Sequence, residues 1–331
     1  MAILDFCTGI SQVVRNESTN TGSSTGEGYS LERISIFGQD TSLSDRKIYP
    51  SNVTTDYFWL SFIFDGYSNW LENDALILNK SESPFFKMSL TTSEGMDFKV
   101  LNSSGDFDTI IQFEKGTEYT SAASPIRIDI EFNADSSGSV NIYVDRALSG
   151  AYSGDLSHLS GDSISSMEMG YSSDVNSFTT YWSNIFFADE DTTVLTMVQS
   201  QVTGDGTYQE LNGSYEDVEC IAKTGDNSSI MSTTSGQKSS FTLQDRSGDI
   251  STGTIAAVGV YCRINQDTSG GDQARMFLTD GAGNETYTDY FTVDQYITPH
   301  RLLLTTDPNG GGNFDLSDVY NYEVGIEVSQ S

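Results

Sequence analysis

Apolar and polar residues alternate with a period of two along much of the chain. Phe58, Leu60, Phe62 and Phe64 fall on one parity, and Trp59, Ser61 and Ile63 on the other. Residues 126–132, Ile-Arg-Ile-Asp-Ile-Glu-Phe, alternate apolar with charged, and Val140-Asn-Ile-Tyr-Val-Asp145 follows the same rule except at Tyr143. Successive side chains on a strand point to opposite faces, so the pattern predicts half-buried antiparallel strands with one wet face. Gly, Ser, Asn and Asp cluster between these runs, at 20–28, 102–106, 133–139, 203–207, 266–273 and 307–313. Such clusters predict turns, because Gly accepts positive φ and Asn and Asp bond their own backbone. Short strands, frequent turns and no long helical period predict an all-β chain of β-sandwich, jelly-roll-like type. One helical turn is expected at 315–321, capped by Asp315 or Ser317.

The 331 residues are enough for about two domains, or for one large β-domain. No strict internal repeat is present. Tyr181-Trp-Ser-Asn-Ile-Phe-Phe187 reads as a last core strand, polar Ala188-Asp-Glu-Asp-Thr192 follows it, and Gly204-Asp-Gly206 reads as a second flexible point. Two sandwich domains are therefore expected, 1–192 and 193–331.

Charge narrows the partners. Sixteen Lys and Arg against 47 Asp and Glu give a net charge of −31. That charge repels phosphate backbones and anionic membrane surfaces, so neither nucleic acid nor membrane insertion is expected. Aromatic residues at 11% argue against a disordered acidic chain. No apolar run is long enough for a membrane helix. The start, Met1-Ala-Ile-Leu-Asp-Phe-Cys7, has no basic region before an apolar stretch and is not read as a secretory signal. Three cysteines are too few for a disulfide scaffold, which points to folding in a reducing compartment.

The sharpest catalytic signal is Ile128-Asp-Ile-Glu-Phe132, which resembles part of the Glu-Ile-Asp-Ile-Glu strand of jelly-roll glucanases. In that family the first Glu attacks the sugar and the last protonates the leaving group. Arg127 stands at the first place here. Retaining hydrolysis needs two carboxylates, and a guanidinium cannot be the nucleophile. The plain reading is a strand with charges on its wet face, so no catalytic residue is assigned and no enzyme is expected. His158 and His300 lie in different expected domains without a Gly-x-Ser-x-Gly partner, and read as surface or turn residues. They and the cysteines make no zinc spacing. Asp307-Pro-Asn-Gly-Gly-Gly312 with Asp318 has the outline of a calcium loop, but Gly311 stands where a ligand is wanted. A turn leading into a short helix is the favoured reading. Acidic loops 133–135 and 203–207 leave calcium conceivable but unassigned; no cofactor is expected. Cys220 and Cys262 fall on apolar parities and read as structural thiols. Tyr57, Trp59, Trp70, Tyr171, Tyr181 and Trp182 are candidates for a sugar-stacking platform, with about half of them expected in the core.

Two family resemblances extend this reading. Thr55-Asp-Tyr-Phe-Trp-Leu-Ser-Phe62, the strand pair 126–132 and Val140-Asn-Ile-Tyr-Val-Asp-Arg146, Met167-Glu-Met-Gly-Tyr171 and 181–187 resemble concanavalin A-like, laminin-G-like jelly rolls. That family often ends the second strand with Tyr-Val-Asp-Gly; Arg146 replaces the Gly here. The second segment resembles a domain of tailed-bacteriophage virion proteins. The match lies in Tyr215-Glu-Asp-Val-Glu219 with 226–241, Ala256-Ala-Val-Gly-Val-Tyr-Cys-Arg263, and Thr306-Asp-Pro-Asn-Gly310 with 314–328. Phe314 stands where that family has Trp. The resemblance implies a non-enzymatic structural component of a phage particle, made in the host cytoplasm: a capsid decoration, tail fibre or other tail-associated protein. Its implied partners are other virion proteins and further copies of itself, with a trimer as the form expected by analogy. A glycan-binding adhesin that holds surface polysaccharide is the alternative.

Overall fold

The computed structural model describes residues 3–7, 34–37, 47–50, 53–67, 73–91, 95–114, 125–169, 179–195, 198, 200, 202–218, 230–232, 234–244, 254–264, 266, 272–280, 283–293, 298–308, 311–315 and 319–329. The chain is nearly all β and divides into two compact units, Met1–Met197 and Val198–Ser331. Among the described residues no helix is long and apolar enough to cross a membrane.

The first unit contains β1 (Ile3–Cys7), β2 (Ile34–Phe37), β3 (Lys47–Ile48), β4 (Tyr57–Tyr67), β5 (Asn73–Lys80), β6 (Ser83–Leu90), β7 (Met96–Leu101), β8 (Phe107–Phe113), β9 (Ile126–Asn133), β10 (Gly138–Val144), β11 (Ala147–Gly154), β12 (Ile164–Met169) and β13 (Thr179–Ala188). They form a seven-stranded sheet, β1-β13-β4-β9-β10-β11 with β2 also on β13, and a six-stranded sheet, β3-β12-β5-β6-β7-β8. One apolar core contains inward side chains of both sheets. The register explains why the sequence alternates. Phe58 pairs with Phe132, Leu60 with Ile130 and Phe62 with Ile128, so both apolar parities meet on one face. The Phe132 ring stacks on Phe58 at 5.2 Å and meets Phe85 edge-on at 5.6 Å. Trp182 is wholly buried between Phe62 and Phe64, at 5.1 and 4.8 Å. Two hairpins turn through pairs of non-glycine residues with positive φ, Ser81–Glu82 and Asp145–Arg146. This is the backbone of a type I′ turn, whose twist matches that of the strands it joins. Arg146 therefore keeps the tight turn without the glycine of the resemblance. The Arg127 amide and carbonyl hold Asp145, by its carboxylate at 3.0 Å and its amide at 2.9 Å.

The second unit contains β14 (Val202–Gln209), α1 (Tyr215–Val218), β15 (Lys238–Leu243), β16 (Val258–Ile264), β17 (Gln273–Thr279), β18 (Glu285–Tyr287), β19 (Phe291–Thr292), β20 (Thr298–Leu304) and β21 (Glu323–Ser329). A sheet β14-β15-β21-β17-β18, with β19 also on β17, shares a core with the two-stranded ribbon β16-β20. Met276 and Leu278 of the sheet meet Val260 and Leu302 of the ribbon, with Phe314 and Tyr322. Residues 203–207, expected to turn, lie inside β14. The glycine signal there is one of crowding. A Cβ on Gly206 would sit 2.4 Å from the Glu323 carboxylate and 2.5 Å from the Ser240 hydroxyl. The single turn of α1 was not expected either; the Ser214 amide donates to the Asp217 carboxylate at 2.9 Å, the side-chain half of a capping box, and the Asp217 amide donates to the Ser214 carbonyl at 3.0 Å. At 315–321, the Val319 amide donates to the Asp315 carbonyl at 3.1 Å; residues 316–318, Ser317 among them, lie outside the described residues.

Gly325 lies beneath the Phe277 ring, and a Cβ there would come within 2.2 Å of it. Gly325→Ala should therefore destabilise the second unit by about 1–3 kcal/mol through overpacking. All three tryptophans, Trp59, Trp70 and Trp182, belong to the first unit. The expected result is an earlier loss of far-UV circular dichroism in urea with an unchanged tryptophan fluorescence transition.

Candidate functional site

One outward residue of β9 does not face water as the alternation suggests. Asp129 is 0% exposed. The Arg127 guanidinium donates to both its oxygens, Nε to Oδ2 and Nη2 to Oδ1, each at 2.9 Å. The Thr192 hydroxyl donates to Oδ1 at 2.7 Å. Arg127 then reaches past Asp129 to the chain that follows β13. Its Nη1 donates to the Leu195 carbonyl at 2.6 Å and its Nη2 to the Thr192 carbonyl at 2.5 Å. Segment 189–195 is thereby fastened to this face, and Thr192 is wholly buried. A planar guanidinium with five donors suits this double task, and lysine could not form the fork. The strand that resembles a glucanase strand is a clamp at its first two polar places.

One polar place on β9 remains open to other work. Glu131 lies opposite Trp59 on β4 and Asn141 on β10. The Asn141 amide donates to it at 2.7 Å and the Tyr57 hydroxyl at 3.3 Å. The Trp59 indole donates to the Tyr57 oxygen at 2.6 Å, and its ring lies 5.3 Å from that of Tyr143. Burial chiefly, and the charge of Glu131 in addition, hold the Tyr57 and Tyr143 hydroxyls above their ordinary range. Both therefore stay protonated donors at neutral pH. Asp191 also acts on the two tyrosines, while its carboxylate accepts from the Thr193 amide at 2.8 Å and hydroxyl at 2.6 Å. The result is a patch in which Tyr57 and Tyr143 flank Glu131 and Asn141, with Asp191 near enough to act on both tyrosines; Tyr57 is 38% exposed and Trp59 is buried at 4%.

Of the aromatic platform candidates, Tyr57 and Trp59 are in this patch and Trp182 is in the core. Trp70 and Tyr171 lie outside the described residues, as does the side chain of Tyr181. Tyr143 and Asn141 were not singled out as binding residues; the break in alternation at Tyr143 was the available signal. His158 is exposed, with Nε2 2.8 Å from the Leu101 carbonyl. His300 is on β20 rather than in a turn, its ring 3.6 Å from that of Phe291. The loop at 307–312 closes on itself, with Gly311 donating to the Asp307 carbonyl at 2.8 Å, and the Asp307 carboxylate accepts from Tyr322. Asp318 and Cys220 lie outside the described residues. The described residues hold no group of His, Cys, Asp and Glu arranged for a metal. Cys262 is partly exposed as a residue, yet its thiol is surrounded by apolar groups, and burial pushes it up to about 12.

The second unit seals its open sheet face with charge and aromatic rings. Lys238 pairs with Glu285 at 2.7 Å and sits 3.7 Å over Tyr208. Arg275 pairs with Glu327 at 2.9 Å and lies between Tyr287 and Tyr290, at 3.7 and 4.6 Å. Burial alone would raise the Glu285 carboxyl. Bonds from Lys238, Tyr208 and Tyr287 outweigh it and bring the carboxyl from 4.5 down to about 2.

No protein-family model matches the sequence, and no curated protein matches it. Solved structures of similar shape include the binding domain of Botulinum neurotoxin DC in complex with rat synaptotagmin II, at TM-score 0.40 and 12% identity over 84% of this chain and 66% of that one. The cellulose induced protein Cip1 aligns at TM-score 0.39 and 9% identity over 52% of this chain and 85% of its own. The Botulinum neurotoxin type G receptor binding domain aligns at TM-score 0.39 and 10% identity over 88% and 93%. Each is a likeness of shape alone.

Removing Arg127 leaves Asp129 buried with Thr192 as its remaining side-chain donor. Arg127→Ala should destabilise the first unit by about 3–5 kcal/mol, and Arg127→Lys should recover only part of that. Limited proteolysis should show the change as faster cutting within 189–197. The Glu285 shift sets a pH window for the second unit. Its folded pKa lies below the ordinary value, so its contribution is complete above pH 4.5 and is lost as pH falls towards 2. Urea midpoints followed by circular dichroism should fall across that window, and Glu285→Gln should flatten the fall.

Proposed function

We propose that the chain is a non-catalytic attachment protein whose first unit holds a surface polysaccharide on the Tyr57–Glu131–Tyr143 patch. The observation that carries this is the division of labour along β9. Arg127 and Asp129 are consumed in fastening 189–195, and Glu131 alone of the three is left among aromatic rings. Glycoside hydrolysis needs a second, suitably placed carboxylate, and Asp129 is locked in its ion pair. Binding needs less: amphipathic rings for the apolar face of a sugar, and a few placed donors and acceptors for its hydroxyls. Tyr57 and Tyr143 supply the first, with the Trp59 ring buried behind them, and Glu131 and Asn141 the second.

A second reading is favoured by the resemblance of 193–331 to tailed-phage virion domains. In it the chain is a structural part of a phage particle and its contacts are with other virion proteins. The two readings combine where the particle uses the first unit for attachment.

The test is calorimetric titration and array binding with bacterial surface polysaccharides, alongside an assay for released reducing ends. Binding without release is expected, and Tyr57→Ala or Glu131→Gln should weaken it by at least about tenfold. Absence of binding to any polysaccharide, or turnover that Glu131→Gln abolishes, would contradict the proposal.

A further inference from the structure

β11 forms the outer edge of the seven-stranded sheet and pairs, among the described residues, with β10 alone. An edge strand presents a row of unpaired backbone N–H and C=O groups. Soluble proteins blunt such rows with charge, proline, bulges or short length. The other described edges follow this rule. β3, β18 and β19 have two, three and two residues, and β2 has four. β1 carries Asp5, β8 carries Asp108, and β14 carries Asp205 and two register shifts against β15. The ribbon carries Arg263 on β16 and Pro299 on β20.

β11 departs from the rule. Its eight residues, Ala-Leu-Ser-Gly-Ala-Tyr-Ser-Gly, include neither charge nor proline. Its one irregularity lies near its start, opposite Ile142 and Tyr143, and 150–154 pair regularly. β10 is uncharged as well, so Asp145 and Arg146 are the only charges in 138–154 and cancel, in a chain of net −31. Leu148 is 57% exposed on this strand, and Ala151 and Ser153 are exposed beside it.

We propose that β11 pairs antiparallel with β11 of a second copy of this chain, joining two seven-stranded sheets edge to edge in a two-fold dimer. Charge selects the occupant. A cationic partner would be drawn to the acidic surface and gain nothing from a neutral hairpin. Two copies of a −31 chain repel one another, and least where charge cancels. Antiparallel pairing of a strand with itself is also self-complementary, as a two-fold contact requires. One strand-to-strand contact is small beside the roughly 1,200–2,000 Å² of a stable interface, so the dimer forms in a concentration-dependent, micromolar range. Salt screens the repulsion between the copies and strengthens it.

Sedimentation of the full chain from about 1 to 100 µM, at low and at ~0.5 M salt, measures the equilibrium directly. A monomer–dimer equilibrium that salt strengthens is expected. Hydrogen exchange of amides in 147–154 should slow as concentration rises. Ala151→Glu places two like charges near the two-fold axis and should raise the dissociation constant at least about tenfold, with an unchanged melt, whereas Ala151→Ser should not. A chain monomeric in every condition overturns the proposal. So does a trimer, or a dimer indifferent to Ala151→Glu whose 147–154 amides stay unprotected.

Discussion

A carboxylate held entirely out of water must be paired, and the first unit is arranged around one such group. Asp129 sits at the middle of β9, between the apolar core on one side and segment 189–195 on the other. Its charge is answered by a bidentate guanidinium two residues earlier and by a hydroxyl 63 residues later. Because Arg127 also donates to two carbonyls of that later segment, the ion pair and the path of the chain after β13 are one feature. Replacing either charge alone would leave the other buried and unanswered, which is far worse than losing a surface pair.

The same acidic chain handles its few cations sparingly. In the second unit Lys238 and Arg275 each meet a carboxylate and an aromatic face, so that two cations, two acids and four rings cover an open sheet. The rings shield the pairs from water, and the pairs keep the ring hydroxyls bonded. In the first unit the comparable patch is left less complete. Glu131 has amide and phenol donors but no cation within ion-pair distance among the described residues, and this open arrangement is what makes it suitable for a neutral ligand rich in hydroxyls.

Much of this was legible in the residues. The parity of 58–64 and 126–132 specified both the core and the cross-strand register, because a one-residue slip would have turned every phenylalanine outward. What alternation could not distinguish was a wet face from a covered one. Asp129 obeys the pattern of an exposed strand residue, and the segment that covers it arrives only after β13. Gly204 and Gly206 misled for a related reason: glycine marks turns, but also places where a neighbour occupies the room of a Cβ, and Glu323 lies far away in sequence. Trp182 and Trp59 could not be sorted by type; one fills the core and the other lies on the opposite face. Tyr143 was visible as an exception without showing its purpose. Arg127, which stands at the nucleophile place of the glucanase-like strand, gave no sign in the sequence of its role as the clamp on 189–195.

The clamp can be measured without changing a residue. The Leu195 amide donates to the Thr192 carbonyl at 2.9 Å, within the segment that Arg127 holds. Native-state hydrogen exchange should find this amide protected to within about tenfold of the β9 amides, opening only when the first unit unfolds. Exchange of Leu195 at the rate of an unstructured loop, with β9 still protected, would contradict the account.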